Sequence, residues 1–251
     1  MNHIANRYPA FFAILLLSLS SAAACADEIL PYGASSKLDL VALLPPPPSA
    51  DSAEQKGEVN AILATQAAAN SARVKLAIAD GKGSLFDMFG GLLGTRFTPA
   101  TLPATVRLFD RIGASEAALV GPAQKAFARP RPFAADPRVQ VVTSAIMMPA
   151  AAARAGGDKL PDSGSWPSGR ATRVTASAVF LAALLPERAG AIWARAQEYA
   201  ESRVVAGMHF PGDLTAGYRS GTALAALLPA DPEFQSDLGK ARSELRAALG
   251  L

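Results

Sequence analysis

The chain has 251 residues, which is enough to bury one sizeable core as a single domain. Half of its residues are hydrophobic, yet the longest apolar helix pattern beyond residue 26, over 174–185, has only 12 residues and is too short to span a membrane. The formal net charge is +3 with no long basic run, so nucleic acid is not an expected partner.

The first 26 residues have the three-part pattern of a secretory signal peptide. A basic start leads into an apolar core over residues 10–20, followed by the small-residue sequence Ala-Cys-Ala. We expect cleavage after Ala26 and a periplasmic or secreted location. The apolar core is well short of the roughly 20 residues that cross a bilayer. A lipoprotein acylated on Cys25 is the lesser alternative, because Ala22 stands where a large aliphatic residue is needed.

Cleavage at this site would leave a mature chain with no cysteine and with one histidine, His209. Without a thiol, neither a disulfide framework nor a CxxC metal or redox site can form. The stability of the mature chain must therefore come from its hydrophobic core. The single histidine also restricts the search for catalytic residues to a few segments.

The segment after the signal peptide, residues 27–50, is irregular and ends in four consecutive prolines, which favour an extended arm on the surface. Ser52 and Gln55 then form a capping pair, and helical spacing of apolar residues predicts one long helix to Asp80. Residues 80–97 are rich in glycine but lack the spacings of nucleotide-binding loops. We expect a mobile or partly helical connection there.

Residues 101–133 predict a helix with Pro103 in its first turn, an interruption near Pro122, and an end at Pro130 and Pro132. The next segment is apolar, rich in alanine, and broken by a pair of glycines. The patterns that follow predict four more helices, over residues 168–185, 186–205, 213–228 and 231–249. No series of alternating strands is evident, so we predict an all-α fold with a single helical domain over 51–251.

The single histidine lies in a segment with the features of a catalytic site. In SRVVAGMHFPGD the chain ends one helix, turns, presents His209, and begins another helix at Asp213. A carboxylate four residues after a histidine can hold one ring N–H and leave the other nitrogen as an oriented lone pair. Such pairs are common by chance, so an ordinary polar histidine in a loop is the alternative.

Three further features indicate that this region binds an anion. A Pro-Ser-Gly turn at Ser168 and Gly169 gives a hydroxyl and free amides at a helix N-terminus, where the helix dipole favours negative charge. Arg131 is held between two prolines, and Arg203 lies six residues before His209. Several anion-binding elements together with an oriented nucleophile indicate phosphoryl transfer.

The segments QKAFARPRP, PSGR and SRVVAGMHFPGD resemble, in order and spacing, the signature of the bacterial class A non-specific acid phosphatases. That signature is K-x6-R-P, P-S-G-H and S-R-x5-H-x3-D, and its third part matches at every fixed position. The family belongs to the superfamily of type 2 phosphatidic acid phosphatases and vanadium haloperoxidases. The resemblance extends over nearly the whole mature chain.

The resemblance implies a helical bundle that acts on a phosphate monoester or binds inorganic phosphate, and dimers would be in keeping with the family. No metal or other cofactor is implied, which suits a mature chain with one histidine and no cysteine. His209 corresponds to the nucleophile that accepts the phosphoryl group, and Asp213 to the carboxylate that orients it. The positions that correspond to the phosphate cradle are Arg131, Arg203, Ser168 and Gly169.

Two positions depart from the family signature. Gln124 stands where the first segment has lysine, and Lys125 follows one step later on the helix, turned by about 100°. Arg170 stands where the family has the histidine that protonates the leaving group. A guanidinium does not release its proton at acidic or neutral pH, so it cannot supply that proton. General acid catalysis contributes typically about 10²–10⁴-fold.

Two functions therefore stay open. A phosphomonoesterase of altered or reduced activity would use Arg170 to stabilise phosphoryl charge, with an unidentified carboxylic acid or a good leaving group in place of the histidine. A non-catalytic protein that binds phosphate or a phosphorylated ligand is the alternative, because Arg131, Arg170 and Arg203 make an unusually cationic pocket. A vanadium haloperoxidase is less favoured, since those enzymes also use the missing histidine. Membrane lipid phosphatases need several spans, which this sequence lacks.

Overall fold

The computed structural model describes residues 28–143 and 146–251. The predicted signal peptide and its cleavage site lie outside the described residues. The α-helices in the described part are α1 (Leu40–Leu43), α2 (Ala53–Ala68), α3 (Ser71–Ala79), α4 (Leu85–Leu93), α5 (Pro103–Phe127), α6 (Pro132–Ala135), α7 (Ala150–Ala155), α8 (Gly169–Leu184), α9 (Ala189–Val205), α10 (Pro211–Leu227) and α11 (Pro232–Leu249).

Three short 3-10 helices and one small sheet complete the described secondary structure. The 3-10 helices are Gly33–Lys37, Pro186–Arg188 and Leu228–Ala230. Strands β1 (Gln140–Val142) and β2 (Met147–Pro149) form an antiparallel pair. The predicted all-α class is confirmed, because this pair is the whole sheet content of the described residues. None of the described helices is both long and apolar enough to cross a membrane.

The helix predicted to run from Ser52 to Asp80 is two helices in the structure. Its start is as predicted, since the Ser52 hydroxyl accepts a hydrogen bond from the Gln55 amide at 3.0 Å. The break comes at Asn70, whose side-chain oxygen accepts from the Arg73 amide at 2.9 Å and caps a new helix. Asparagine competes with helix continuation through this local bond, and the single-helix prediction was wrong for that reason.

The predicted interruption near Pro122 was also wrong, because α5 continues through this residue to Phe127. Pro122 and Ala118, four residues earlier, are both exposed. The carbonyl that loses its helical partner can therefore be hydrated by solvent, which makes the proline tolerable. In the glycine-rich connection, Ser84 and Asp87 form a capping box that begins α4, so the expected partial helix is present.

The proline-rich arm contains a 3-10 turn and α1, and it is anchored in the core. The Tyr32 side chain is wholly buried, and its hydroxyl donates a hydrogen bond to Asp237 at 3.0 Å. The Tyr32 amide donates to the Ser115 hydroxyl of α5 at 2.9 Å. These two bonds attach the N-terminal segment to α5 and α11.

Helix α8 lies at the centre of the fold and packs on α5, α9 and α10. Its closest neighbour is α10, which approaches through two glycines. A Cβ added at Gly217 would lie 2.6 Å from the Ala171 Cβ, and one at Gly221 would lie 2.5 Å from the Thr172 carbonyl oxygen. This close approach holds the start of α8 against the second and third turns of α10, beside the segments that contain the candidate functional residues.

The substitution Gly217→Ala should lower the free energy of unfolding by about 1–3 kcal/mol, because the added methyl group has no room between the helices. Gly90→Ala in α4 is the matched control, since nothing lies within 4 Å of its added Cβ. That control should raise stability by about 0.5–1 kcal/mol through helix propensity. Urea unfolding measures both, and similar values for the two variants would contradict the proposed close packing.

Candidate active site

Residues from α5, α8, α9 and the turn before α10 surround a cavity of about 350 Å³. These segments are far apart in the sequence, and the packing of the four helices brings them together. The lining includes Glu116, Gln124, Arg131, Arg170, Arg203 and His209.

A glycine turn places His209 at the wall of this cavity. Helix α9 ends at Val205, and Gly207 follows with a φ of +68°, a conformation that favours glycine. A Cβ at Gly207 would also lie 2.0 Å from the Gln140 carbonyl oxygen, so no larger residue fits. The turn reverses the chain before α10 begins at Pro211. The His209 ring is thereby buried, with 4% of the residue exposed.

The hydrogen bonds of His209 fix the position of its proton. Nδ1 lies 3.0 Å from the Ser165 carbonyl oxygen and 3.4 Å from Oδ2 of Asp213. A backbone carbonyl and a carboxylate only accept hydrogen bonds, so Nδ1 is the donor. Nε2 then carries the lone pair, and it lies 3.3 Å from Nη1 of Arg131. The ring has the tautomer that a nucleophile needs.

Burial lowers the pKa of His209 below its ordinary value. The charges of Arg131 and Arg203 act in the same direction, while Asp213 opposes them. The ring therefore stays neutral to a lower pH than an exposed histidine would. The Nε2 lone pair is available for attack in mildly acidic solution.

Asp213 is wholly buried and holds both the histidine and the neighbouring turn. Its Oδ2 also accepts a hydrogen bond from the Phe210 amide at 2.8 Å, within the first turn of α10. Its backbone carbonyl accepts from the Ser168 amide at 3.0 Å, which ties α10 to the Pro-Ser-Gly turn. The orientation of His209 and the position of this turn thus depend on the same residue.

A buried arginine that the sequence analysis did not single out binds the carboxylate oxygen of Asp213 that faces away from His209. Arg129 donates from Nη1 to Oδ1 of Asp213 at 2.7 Å. Its Nη2 pairs with Glu58 and donates to Gln55 at 2.6 Å, so its charge is fully compensated. The sequence signal was present, since Arg129 lies two residues before Arg131 in the proline-rich segment.

Arg131 is held rigidly by backbone carbonyls. Its Nε donates to Ser163 and its Nη1 to Met208, both at 3.0 Å, and its Nη2 donates to Gly164 at 3.3 Å. Burial lowers the pKa of this guanidinium from its ordinary value. Its Nη1 points to the histidine, so the arginine lies where it can also contact an anion bound there.

Arg203 differs from Arg131 because its side chain makes no hydrogen bond to any described residue, and its Nε is buried without a partner. Burial and the nearby charges of Arg170 and Arg131 lower its pKa to about 10, so it remains charged at neutral pH. A half-buried guanidinium whose Nε has no partner is costly, and an anion in the cavity would supply the missing hydrogen bond.

A family model described as PAP2 superfamily matches residues 112–236. An acid phosphatase from Zymomonas mobilis is 31% identical over 213 residues, which cover 84% of this chain and 76% of that protein. The chain belongs to the PAP2 superfamily. A non-specific acid phosphatase from Salmonella typhi is 28% identical over 247 residues, covering 96% of this chain and 92% of that protein. This PAP2 protein is of the class A acid phosphatase type.

The two departures from the signature have clear structural consequences in this PAP2 protein. Gln124 lines the cavity, and its amide donates to the Pro167 carbonyl at 2.9 Å, so it supports the Pro-Ser-Gly turn. Lys125 is exposed and lines a neighbouring cavity instead. Ser168 uses its hydroxyl to cap α8, accepting from the Ala171 amide at 3.3 Å. Gly169 lines the cavity.

Arg170 lies on the cavity wall in the first turn of α8. Its Nη1 donates to the Tyr199 hydroxyl at 3.1 Å, and its Nη2 donates to the Gly81 carbonyl at 2.9 Å. Both bonds fix the guanidinium beside the anion-binding region. The Arg170 guanidinium is thereby fixed on the cavity wall, near the start of α8.

Glu116 on α5 is a second cavity residue that the sequence analysis did not single out. It is largely buried, and its Oε2 accepts from Nε of Arg173 at 3.0 Å. Burial raises its pKa above the ordinary value, against the opposing charges of Arg173 and Arg170. Its position eight residues before Gln124, about two helical turns, could have placed both residues on one face of α5.

Proposed function

We propose that the protein is a periplasmic or secreted acid phosphatase that hydrolyses phosphate monoesters through a phosphohistidine on His209. The observation behind this proposal is the Nε2 lone pair of a neutral, buried histidine in a cavity lined by four arginines. The acid phosphatase names of the relatives support the reaction class. The location rests on the predicted signal sequence.

In the first step the phosphate group of the substrate binds in the cationic cavity. Arg131 and Arg203 neutralise its charge, and the N-terminal turn of α8 at Gly169 adds amides and the helix dipole. Nε2 of His209 attacks phosphorus as the ester P–O bond breaks. Fixed arginines stabilise the charge on the equatorial oxygens, which is the main source of catalysis in phosphoryl transfer.

In the second step water attacks the phosphohistidine, the P–N bond breaks, and Nε2 recovers its lone pair. While phosphorus is attached, the imidazole carries a proton on Nδ1 and is cationic. Asp213 accepts that N–H and stabilises the positive ring, and Arg129 keeps the carboxylate in place. Inorganic phosphate is the product, and the free cavity is restored.

A phosphate-binding protein is the second candidate, and the unpaired Arg203 guanidinium favours it. The test uses the purified protein in the presence of EDTA, with p-nitrophenyl phosphate as substrate and a parallel calorimetric titration with inorganic phosphate. We expect turnover that inorganic phosphate inhibits competitively. Tight phosphate binding with no turnover would show that the protein binds phosphate and does not hydrolyse phosphate esters.

A further inference from the structure

We propose that Glu116 is the general acid and base of this site, in the role for which Arg170 is unsuited. The proposal rests on the phosphatase function proposed above and deepens it. Glu116 lines the same cavity as His209 and Arg203, although it comes from α5 and not from α8. It is 6% exposed, so its carboxyl is enclosed by protein except towards the cavity.

The carboxyl group lies beside the position where the leaving-group proton is needed. A Cβ added at Gly169 would be 2.7 Å from Oε1 of Glu116. Gly169 immediately precedes Arg170, so Oε1 borders the first turn of α8, next to the position of the absent histidine. The absence of a side chain at Gly169 therefore leaves the room that this carboxyl occupies.

The two oxygens of Glu116 have different surroundings. Oε2 accepts from Nε of Arg173 at 3.0 Å and lies 2.9 Å from its Nη2 in an ion pair. Oε1 accepts no hydrogen bond from the part of the chain that the structure describes. A proton on Oε1 therefore leaves the Arg173 interaction intact, since Oε2 can still accept. The free oxygen is the one beside Gly169 and the cavity.

Substrate binding favours the protonated form of Glu116. The charged groups that face it are Arg173 and Arg170, both on α8, and they oppose the effect of burial on its pKa. A phosphate ester that binds between Arg131 and Arg203 adds negative charge near the carboxyl. Like charge disfavours ionisation, so the bound ester raises the pKa of Glu116 further.

Glu116 can donate the proton that the first step needs and accept the proton that the second step releases. In the first step Nε2 of His209 bonds to phosphorus, the P–O ester bond breaks, and the proton on Oε1 goes to the leaving oxygen as the alcohol forms. In the second step the Glu116 carboxylate takes a proton from the attacking water while the P–N bond breaks. Glu116 then ends the cycle protonated, and no further reactant is required.

The test compares single-turnover phosphorylation by p-nitrophenyl phosphate and by an alkyl phosphate such as n-butyl phosphate. Nitrophenolate leaves without a proton, whereas an alkoxide needs one. Glu116→Gln keeps the shape of the side chain but has no acid. We expect phosphorylation by the alkyl ester to fall about 10²-fold or more, and that by the aryl ester to fall less than about 10-fold. The aryl ester should give a burst of nitrophenol followed by slow turnover.

Asp110→Asn is the matched control. Asp110 lies on the same helix and is also close to Arg173, but it lines a different cavity. This variant should leave both rates unchanged. Adding Arg170→His to the Glu116→Gln protein should restore the alkyl rate, because histidine can again donate the proton.

Equal losses on both esters, or no loss on either, would overturn the role of Glu116. If Glu116→Gln does not fold, the pH dependence of the wild type provides the test. Its rate of phosphorylation by the alkyl ester should fall as the pH rises through the raised pKa of Glu116, while its rate with the aryl ester should not. An alkyl rate without that alkaline decrease would also overturn the role. Turnover by the His209→Ala variant close to that of the wild type would instead disprove the proposed function. The two failures are therefore distinguishable.

Discussion

Replacing His209 by alanine should reduce the hydrolysis of p-nitrophenyl phosphate by at least about 10⁴-fold. The reason is that no second histidine is available in the predicted mature chain to act as the nucleophile. The sequence contains only one further histidine, His3, which lies in the predicted signal peptide. The measurement is kcat/KM for the purified variant, compared with wild type in the same preparation.

The same His209→Ala variant should still bind inorganic phosphate. Arg131 keeps its bonds to Ser163 and Met208, and Arg203 keeps its unpaired guanidinium. Calorimetry with phosphate therefore serves as a control for the fold of the cavity. Turnover within tenfold of wild type, together with intact binding, would contradict the nucleophilic role of His209.

The substitution Asp213→Asn should lower kcat by about 10³–10⁴-fold, although it keeps the size of the side chain. An amide group has no negative charge to stabilise the cationic phosphohistidine ring, and its NH2 group facing Nδ1 would oppose the tautomer that the Ser165 carbonyl also holds. The substitution also weakens the bond from Arg129, which would leave part of a buried charge unpaired. Breaking a buried pair costs about 3–5 kcal/mol, so stability should fall as well.

Asp237→Asn separates these two effects. Asp237 is also a buried carboxylate, 4% exposed, and it pairs with Arg111 at 3.2 Å and with the Tyr32 hydroxyl at 3.0 Å. It does not line the His209 cavity. We expect this control to lose stability by a similar mechanism while kcat stays close to wild type. If Asp213→Asn behaved in the same way, the orienting role of Asp213 would be refuted.

The sequence predicted the helices where the deciding interactions are local. The caps at Ser52 and Asp231 are within three residues of the amides they bind, so the pattern in the sequence was sufficient. The break at Asn70 was equally local, and its cap could have been recognised. The continuation of α5 through Pro122 could not have been recognised from the sequence, because it depends on the exposure of that face of the helix in the folded protein.

The candidate site was predictable to the extent that its residues belong to short segments with fixed spacing. His209, Asp213 and Arg203 are of this kind, and all three come together in the structure. Glu116 and Arg129 contribute through the packing of α5 and its C-terminal segment on distant elements. No spacing near the histidine carries that information. The position of Lys125 depended on helix phase, which turned Gln124 towards the cavity instead.

Passage of the phosphoryl group through His209 can be tested by rapid-quench phosphorylation. Wild-type protein is mixed with saturating aryl phosphate, quenched in base within a turnover, and digested for mass spectrometry. We expect a phosphoryl group on the peptide that contains His209, which is lost on acid treatment and decays at least as fast as kcat. Steady turnover with His209 unphosphorylated at every quench time would contradict it.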